Sequence, residues 1–156
     1  MLTIRPGRPE DAPSLAKMIS DFNVEEGSPG RIDAQAVGDL CFSPTSSYRA
    51  YVADDGETLT GYALVTPYFD TEPCAWCSYM QDLFVVEGWR SQGIGRRLIA
   101  AVAKAAMEQQ HHELLWHVRD NNKRGRAFYT SIGGEEQTPI PVILKDKSLE
   151  RLATEV

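Results

Sequence analysis

The stretch that decides the fold is Val85-Val86-Glu87-Gly88-Trp89-Arg90-Ser91-Gln92-Gly93-Ile94-Gly95-Arg96-Arg97. An apolar strand pattern ends at its start, a polar turn with two glycines follows, and apolar residues then recur at helical spacing. The first N–H groups of a helix have no partner within it, and the helix dipole makes that end positive. Glycine lets an anion approach this backbone closely. The stretch therefore predicts a phosphate-binding turn between a strand and a helix.

Two common phosphate-binding motifs do not fit this turn. A Walker A loop needs Gly-Lys-Ser/Thr after its spacer, and that sequence is absent. A dinucleotide fingerprint needs a third glycine, but Leu98 stands there and the motif lies in the middle of the chain. Arg90, Arg96 and Arg97 gather positive charge at the turn in a chain whose net charge is −6. That local change of sign favours a phosphate ligand of another kind.

Composition excludes several classes of protein. With 156 residues, 42% of them apolar, the chain predicts one folded domain over residues 1–156. The excess of 22 acidic over 16 basic residues argues against nucleic acid as a partner. No apolar run approaches the roughly 20 residues of a membrane span, and no signal peptide pattern is visible, so we expect no membrane partner and a cytoplasmic protein. Cys74 and Cys77 lack the further ligands of a zinc site, and no metal site is predicted.

Hydrophobic periodicity and turn signals predict an α+β, or α/β-like, domain with a mixed sheet. Helices are expected to begin near residues 9, 33 and 93. Asp33 is a candidate N-cap for the second helix, and Gly61 marks a bulge or a close backbone approach. The predicted strands cover residues 2–5, 48–53, 59–69, 76–86, 113–118 and 138–144, and two later helices cover residues 121–132 and 147–154.

A second motif lies about thirty residues after the glycine turn, with one strand between them. It reads Asn122-Lys123-Arg124-Gly125-Arg126-Ala127-Phe128-Tyr129. Together, Arg90-x-x-Gly93-x-Gly95 and this helix resemble the coenzyme A signature and the N-x-x-A-x-x-F-Y motif of the GNAT acetyltransferases, with Gly125 where alanine is usual. The likeness covers essentially the whole chain. Residues 79–85, 115–118 and 145–155 resemble the spermidine/spermine branch of that family.

The resemblance implies a central, mostly antiparallel twisted sheet, flanked by helices and splayed between its fourth and fifth strands. It also implies acetyl-CoA as cofactor, with its diphosphate on the glycine turn and its pantetheine arm along the fourth strand. A main-chain N–H near Phe84 is the implied donor to the thioester oxyanion. The cofactor-binding residues expected from this likeness are Leu83, Phe84, Val85, Arg90, Ser91, Gln92, Gly93, Ile94, Gly95, Arg96, Arg97, Asn122, Arg124, Gly125 and Tyr129.

The resemblance assigns catalysis to Tyr129, whose hydroxyl can protonate the leaving thiolate. An amphipathic core tyrosine is the alternative for Tyr129, and plain N-capping is the alternative for Asn122. The polyamine branch carries a glutamate base where this chain has Gln81, which cannot accept a proton. Asp82 follows, but adjacent strand residues normally face opposite sides of a sheet. Asp82, Glu26, His117 and bulk water therefore remain as candidate bases.

The acceptor pocket implied by the family is expected to involve Glu25, Glu26, Gln81, Asp82, Trp116 and His117. Carboxylates among them suit a cationic amine, although a solvated helix end explains Glu25 and Glu26 equally well. The leading function is N-acetylation of a small primary amine, such as a polyamine, diamine or amino acid, by direct attack in a ternary complex. Protein, peptide or antibiotic acetylation and a non-catalytic CoA-binding module are alternatives. A homodimer is expected from the resemblance.

Overall fold

The computed structural model describes residues 1–138 and 141–154. Two compact units are present, Met1–His117 and Val118–Val156. Within the described ranges, every helix is too short or too polar to cross a bilayer.

The first unit is built on a five-stranded sheet whose spatial order follows the chain. The first four strands pair antiparallel, and the fifth pairs parallel with the fourth. Asp55 closes the hairpin turn between the second and third strands by accepting from the N–H groups of Glu57 and Thr58, both at 2.8 Å. The strands are β1 (Thr3–Pro6), β2 (Arg49–Asp54), β3 (Leu59–Asp70), β4 (Ala75–Val85) and β5 (Leu114–Leu115).

Helices cover both faces of this sheet. Helices α1 (Ala12–Glu25) and α2 (Ala34–Phe42) pack on the face that carries Tyr62, Leu64 and Phe84. Asp33 caps α2 as predicted, because its carboxylate accepts from the Ala36 N–H at 2.8 Å. The buried face of α3 (Ile94–Glu108) carries Ile94, Leu98, Ile99, Val102 and Ala106 and covers the other side of the sheet.

The sheet is splayed between β4 and β5, as predicted. Only two residue pairs join these strands, Ser78 with Leu114 and Tyr79 with Leu115. The fifth strand is therefore much shorter than the predicted residues 113–118. Met80 and residues 82–85 of β4 pair with β3 alone. The last half of β4 thus has an open edge.

A bulge in β4 corrects one expectation about its side chains. Leu64 pairs with Asp82, whereas Val65 pairs with Met80, so Gln81 is an extra residue without a partner in β3. A bulge interrupts the alternation of a strand. Because Tyr79 lies opposite Thr66, an even-numbered β3 residue like Leu64, Tyr79 and Asp82 lie on the same face. The rule that neighbouring strand residues face opposite sides does not apply here.

The described part of the second unit contains two helices, α4 (Lys123–Ser131) and α5 (Asp146–Ala153). Gly133, with φ of +91°, follows α4, and the Gly134 N–H donates to the Tyr129 carbonyl at 2.9 Å, so a glycine turn ends the helix. The predicted strand at residues 138–144 is not found where the structure describes it. Residues 141–144 have no strand pairing, and Pro139 and Ile140 lie outside the described residues. Pro141, like any proline, has no N–H to donate to a ladder.

Gly61 makes the close backbone approach that its position in the strand predicted. A Cβ at residue 61 would lie 2.7 Å from the Phe84 carbonyl oxygen and 3.3 Å from the Val85 Cα. Those atoms belong to the backbone of β4 and cannot turn aside. Gly38, on α2, has nothing within 4 Å of such a Cβ.

We predict that Gly61→Ala lowers the free energy of unfolding by about 1–3 kcal/mol, since overpacking forces β3 and β4 apart. Gly38→Ala is the matched control and should raise it by about 0.5–1 kcal/mol, because alanine is the better helix former. Urea unfolding of the two variants and the parent chain measures both. Equal stability of the Gly61→Ala variant and the parent would contradict this close approach.

Candidate active site

The open edge of β4 carries backbone groups that point away from β3. The Val86 N–H donates to the Thr60 carbonyl at 3.0 Å, so Val86 and, two residues earlier, Phe84 turn their backbone groups towards β3. In an antiparallel ladder this direction alternates with each residue. Leu83 and Val85 therefore direct N–H and C=O to the open edge. Consistent with this, the Val85 carbonyl accepts from the Arg90 Nε at 2.7 Å.

Asp82 is the carboxylate next to this edge. It lies on the α1/α2 face of the sheet, opposite Leu64, and the Tyr62 hydroxyl donates to its Oδ2 at 3.1 Å. Burial raises the pKa of the Asp82 carboxyl above its ordinary value, and the hydrogen bond from Tyr62 acts in the opposite direction. A carboxylate with such a pKa is a better proton acceptor than a solvated one.

Tyr79 and His117 continue this polar group along the same face. The Tyr79 hydroxyl and the His117 Nδ1 are 2.8 Å apart, and the two ring centroids are 5.5 Å apart. Burial and then the Asp82 charge raise the pKa of Tyr79. The structure thus brings together two of the predicted site residues, Asp82 and His117, with two tyrosines that the sequence analysis did not assign.

The glycine turn has the backbone of an anion site. Ser91 and Gly93 adopt positive φ values of 65° and 77°, and a Cβ on Gly93 would meet nothing within 4 Å. Gly93 is the N-cap of α3 and makes no side-chain cap. The first turn of α3 holds no acidic residue, and Arg96 is exposed there. Such a helix start leaves N–H groups and positive charge for a ligand.

The arginines of the turn differ in their surroundings. Arg97 donates to the Leu2 carbonyl at 2.9 Å, which ties it to the N-terminal segment. Arg90 donates from one nitrogen, Nη2, to both oxygens of Glu25, at 2.7 and 2.8 Å. Its guanidinium lies 5.6 Å from the centroid of the Phe84 ring. A residue predicted to bind cofactor is thus paired with a residue predicted to bind acceptor.

A cavity of about 380 Å³ lies between α1 and the end of β4. Its volume is in the range of small-ligand pockets. Phe84, buried to 5% exposure, forms part of its wall, and Glu25 is among its carboxylates. The full lining is Ser14, Lys17, Met18, Asp21, Glu25, Thr58, Leu59, Phe84, Val86, Glu87 and Trp89.

In the second unit, Asn122 is the N-cap of α4. Its side-chain oxygen accepts from the Gly125 N–H at 2.8 Å, so the capping role is confirmed. A Cβ at Gly125 would come within 2.8 Å of the Asn122 amide nitrogen, so an alanine there would require the Asn122 side chain to shift. Tyr129 is half-buried on this helix beside Phe128, with ring centroids 5.3 Å apart, and Arg124 is exposed.

The remaining predicted residues have these positions. Glu26 is the C-cap of α1, Gln81 is exposed at the bulge, and Gln92 donates to the Gly88 carbonyl at 3.3 Å. Trp116 is half-buried just after β5. Tyr62 and Tyr79 were missed because their sequence patterns resemble ordinary strand aromatics. Only the cross-strand register, with its bulge, relates them to Asp82.

Comparison with known families gives a match to the acetyltransferase (GNAT) family over residues 15–133. The chain belongs to this family. The matched residues run across the boundary between the two compact units. The chain is accordingly an acetyl-CoA-dependent N-acetyltransferase, acting on amines.

Curated relatives of this N-acetyltransferase include a thialysine N-epsilon-acetyltransferase of Bos taurus, 26% identical over 148 residues, which are 86% of this chain and 85% of that protein. An L-ornithine N5-acetyltransferase of Arabidopsis thaliana is 30% identical over 77 residues, covering 49% of this chain and 34% of that protein.

Solved structures share the fold. An integron cassette protein from the mobile metagenome of V. cholerae superposes with a TM-score of 0.84 at 22% identity, over 99% of this chain and 98% of that one. An aminoglycoside acetyltransferase from an uncultured soil metagenomic sample gives 0.79 at 21% identity, over 93% and 97%. A structure with the bisubstrate analogue CoA-S-monomethyl-acetylneamine gives 0.78 at 17% identity, over 94% and 99%.

The residues present fit acetyl-CoA. A diphosphate needs converging N–H donors and positive charge, which the start of α3 offers with open space above Gly93. An extended arm with amide groups needs backbone partners at a strand edge, which β4 offers with the N–H and C=O of Leu83 and the N–H of Val85.

Proposed function

We propose that the chain transfers the acetyl group of acetyl-CoA to the primary amine of a small cationic molecule, such as a diamine, polyamine or basic amino acid. The amine attacks directly in a ternary complex. One observation carries this proposal: Asp82, a carboxylate of raised pKa, lies beside the open edge of β4. The site therefore combines a proton acceptor with a strand edge suited to the cofactor arm.

The directions of the backbone groups support one placement for acetyl-CoA. Its diphosphate would lie on the turn from Ser91 to Arg96, and its arm would pair with the outward groups of Leu83 and the Val85 N–H. Their N–H groups are better oxyanion donors than that of Phe84, which turns towards β3. The family resemblance adds Asn122, Arg124, Gly125 and Tyr129 to the residues that we propose for acetyl-CoA.

Acetyl-CoA supplies an acyl group that is activated as a thioester. Asp82 takes a proton from the acceptor ammonium, directly or through a water at Gln81, so that the neutral nitrogen attacks the carbonyl carbon. The new C–N bond forms as the C–S bond breaks. Tyr129, in the role that the family resemblance gives it, donates its proton to the departing sulfur and recovers one through solvent from the protonated amide nitrogen. Asp82 then releases its proton to water. Products are the N-acetylated amine and CoA.

Two features support a small cationic acceptor. The named substrates of two relatives, thialysine and L-ornithine, are amino acids with a side-chain amine. The cavity beside β4 also has an excess of negative charge, because Lys17 pairs with Asp21 and Arg90 with Glu25, and Glu87 adds a further carboxylate. His117 and Trp116, at the other end of the open edge, are proposed to contact the body of the acceptor.

We predict that the parent chain releases CoA thiol from acetyl-CoA when a diamine, polyamine or basic amino acid is present. The Asp82→Asn variant should have a kcat lower by roughly 10²–10⁴-fold, because the amide cannot accept a proton. Activity of the parent should rise with pH through the pKa of Asp82, since the ionised form is required. Thiol release is measured over an amine panel that includes an aminoglycoside and a peptide.

The Tyr62→Phe variant tests the same base through the pKa of Asp82. Its hydroxyl stabilises the ionised carboxylate, so its removal raises the pKa of Asp82 and moves the acidic limb of kcat/KM to higher pH. The absence of thiol release with every amine of the panel would contradict the proposed function. Turnover by the aminoglycoside or peptide alone would overturn the acceptor class, and a fully active Asp82→Asn variant would remove Asp82 as base.

We also propose that the chain forms a single functional domain and a homodimer. Apolar side chains near the C-terminus are about half or more exposed, namely Val142, Ile143, Leu144, Leu149 and Leu152. Leu149 and Leu152 lie on one face of α5 by their spacing. Sedimentation equilibrium should give the mass of two chains, and Leu149→Glu combined with Leu152→Glu should give that of one. A parent chain that sediments singly would contradict the dimer.

A further inference from the structure

Arg90 lies where β4 ends and the glycine turn begins. We infer that Arg90, held in place by Glu25, fixes the register in which the acetyl-CoA arm pairs with β4. This inference rests on the proposed placement of the cofactor along β4. It gives Glu25 a positioning role towards the cofactor in place of a contact with the acceptor amine.

Arg90 already bonds one backbone group of the open edge, the Val85 carbonyl. Leu83 and Val85 are the residues that turn backbone groups to the open edge, and the Val85 carbonyl already accepts from the Arg90 Nε at 2.7 Å. A ligand strand can therefore bond the Leu83 groups and the Val85 N–H without competition, whereas at the Val85 carbonyl it would share the oxygen with Arg90. A one-step slip of the arm towards the turn would need that carbonyl. Arg90 thus disfavours the slipped register and favours the one that ends at the Val85 N–H.

Three contacts orient the Arg90 guanidinium. Its Nη2 reaches both oxygens of Glu25, at 2.7 and 2.8 Å, while the Nε faces Val85. The plane also lies 5.6 Å from the Phe84 centroid, within cation–π range. The fork of an arginine serves all three contacts together, which a lysine cannot do.

The ion pair of Arg90 with Glu25 also changes the charge that a cationic acceptor would meet. The Arg90 side chain is 29% exposed and that of Glu25 is 46% exposed, so the pair is partly shielded from water. Because Arg90 neutralises the Glu25 carboxylate, that carboxylate offers little net attraction to a cationic acceptor. Glu25 then acts on the reaction through Arg90 and the end of β4.

The test distinguishes an effect on cofactor binding from an effect on acceptor binding. Titration calorimetry of CoA with Glu25→Gln should give a Kd raised by about fivefold, the order expected for loss of one partly exposed ion pair. The KM for acetyl-CoA should rise with it, while the KM for the amine stays within twofold. Arg90→Lys, which keeps the charge, should weaken CoA binding at least as much. The double variant Glu25→Gln, Arg90→Lys should be no weaker than Arg90→Lys alone.

Glu108→Gln is the matched control, since Glu108 is the last residue of α3 as Glu25 is of α1, and it should leave the Kd unchanged. A raised amine KM with an unchanged CoA Kd in Glu25→Gln would overturn the inference, and so would parent-like CoA binding by Arg90→Lys. Thermal unfolding checks that each variant is folded. Failure of the parent itself to bind CoA would instead overturn the proposed function.

Discussion

The site depends on the half of β4 that has only one neighbouring strand. From residue 80 to residue 85 this strand pairs with β3, while β5 ends its pairing at Leu115. A strand edge of this kind leaves N–H and C=O groups that need partners from water or from a ligand. The same edge ends at the glycine turn, where α3 offers further N–H groups. An extended molecule with amide groups and a diphosphate matches both features at once.

The bulge at Gln81 decides which chemistry accompanies this edge. Without the extra residue, Tyr79 and Asp82 would face opposite sides of the sheet. With it, both face α1 and α2, where Tyr62 holds the Asp82 carboxylate and His117 contacts Tyr79. Burial then raises the pKa of Asp82. The loss of the glutamate found in the polyamine branch is thus accompanied by a buried carboxylate one residue later.

Local sequence predicted the elements that have strong local signals. The glycine turn, the caps of Asp33 and Asn122 and the splay of the sheet were predicted, the last through a family likeness. The short β5 was not, because its length depends on where the chain leaves β4 and not on its own β propensity. The strand expected at residues 138–144 has a favourable pattern, but Pro141 interrupts it. The pairing of Arg90 with Glu25 joins residues 65 positions apart, which no local pattern reveals.

The central claim is that acetyl-CoA pairs with the open edge of β4. Amide hydrogen exchange, resolved by NMR for single residues, tests it most directly. On addition of CoA, the Leu83 and Val85 amides should exchange more slowly. Phe84 and Val86, already turned towards β3, should change little, and the outer edge of β1 should not change. Binding of CoA with unchanged exchange at Leu83 and Val85 would contradict the account.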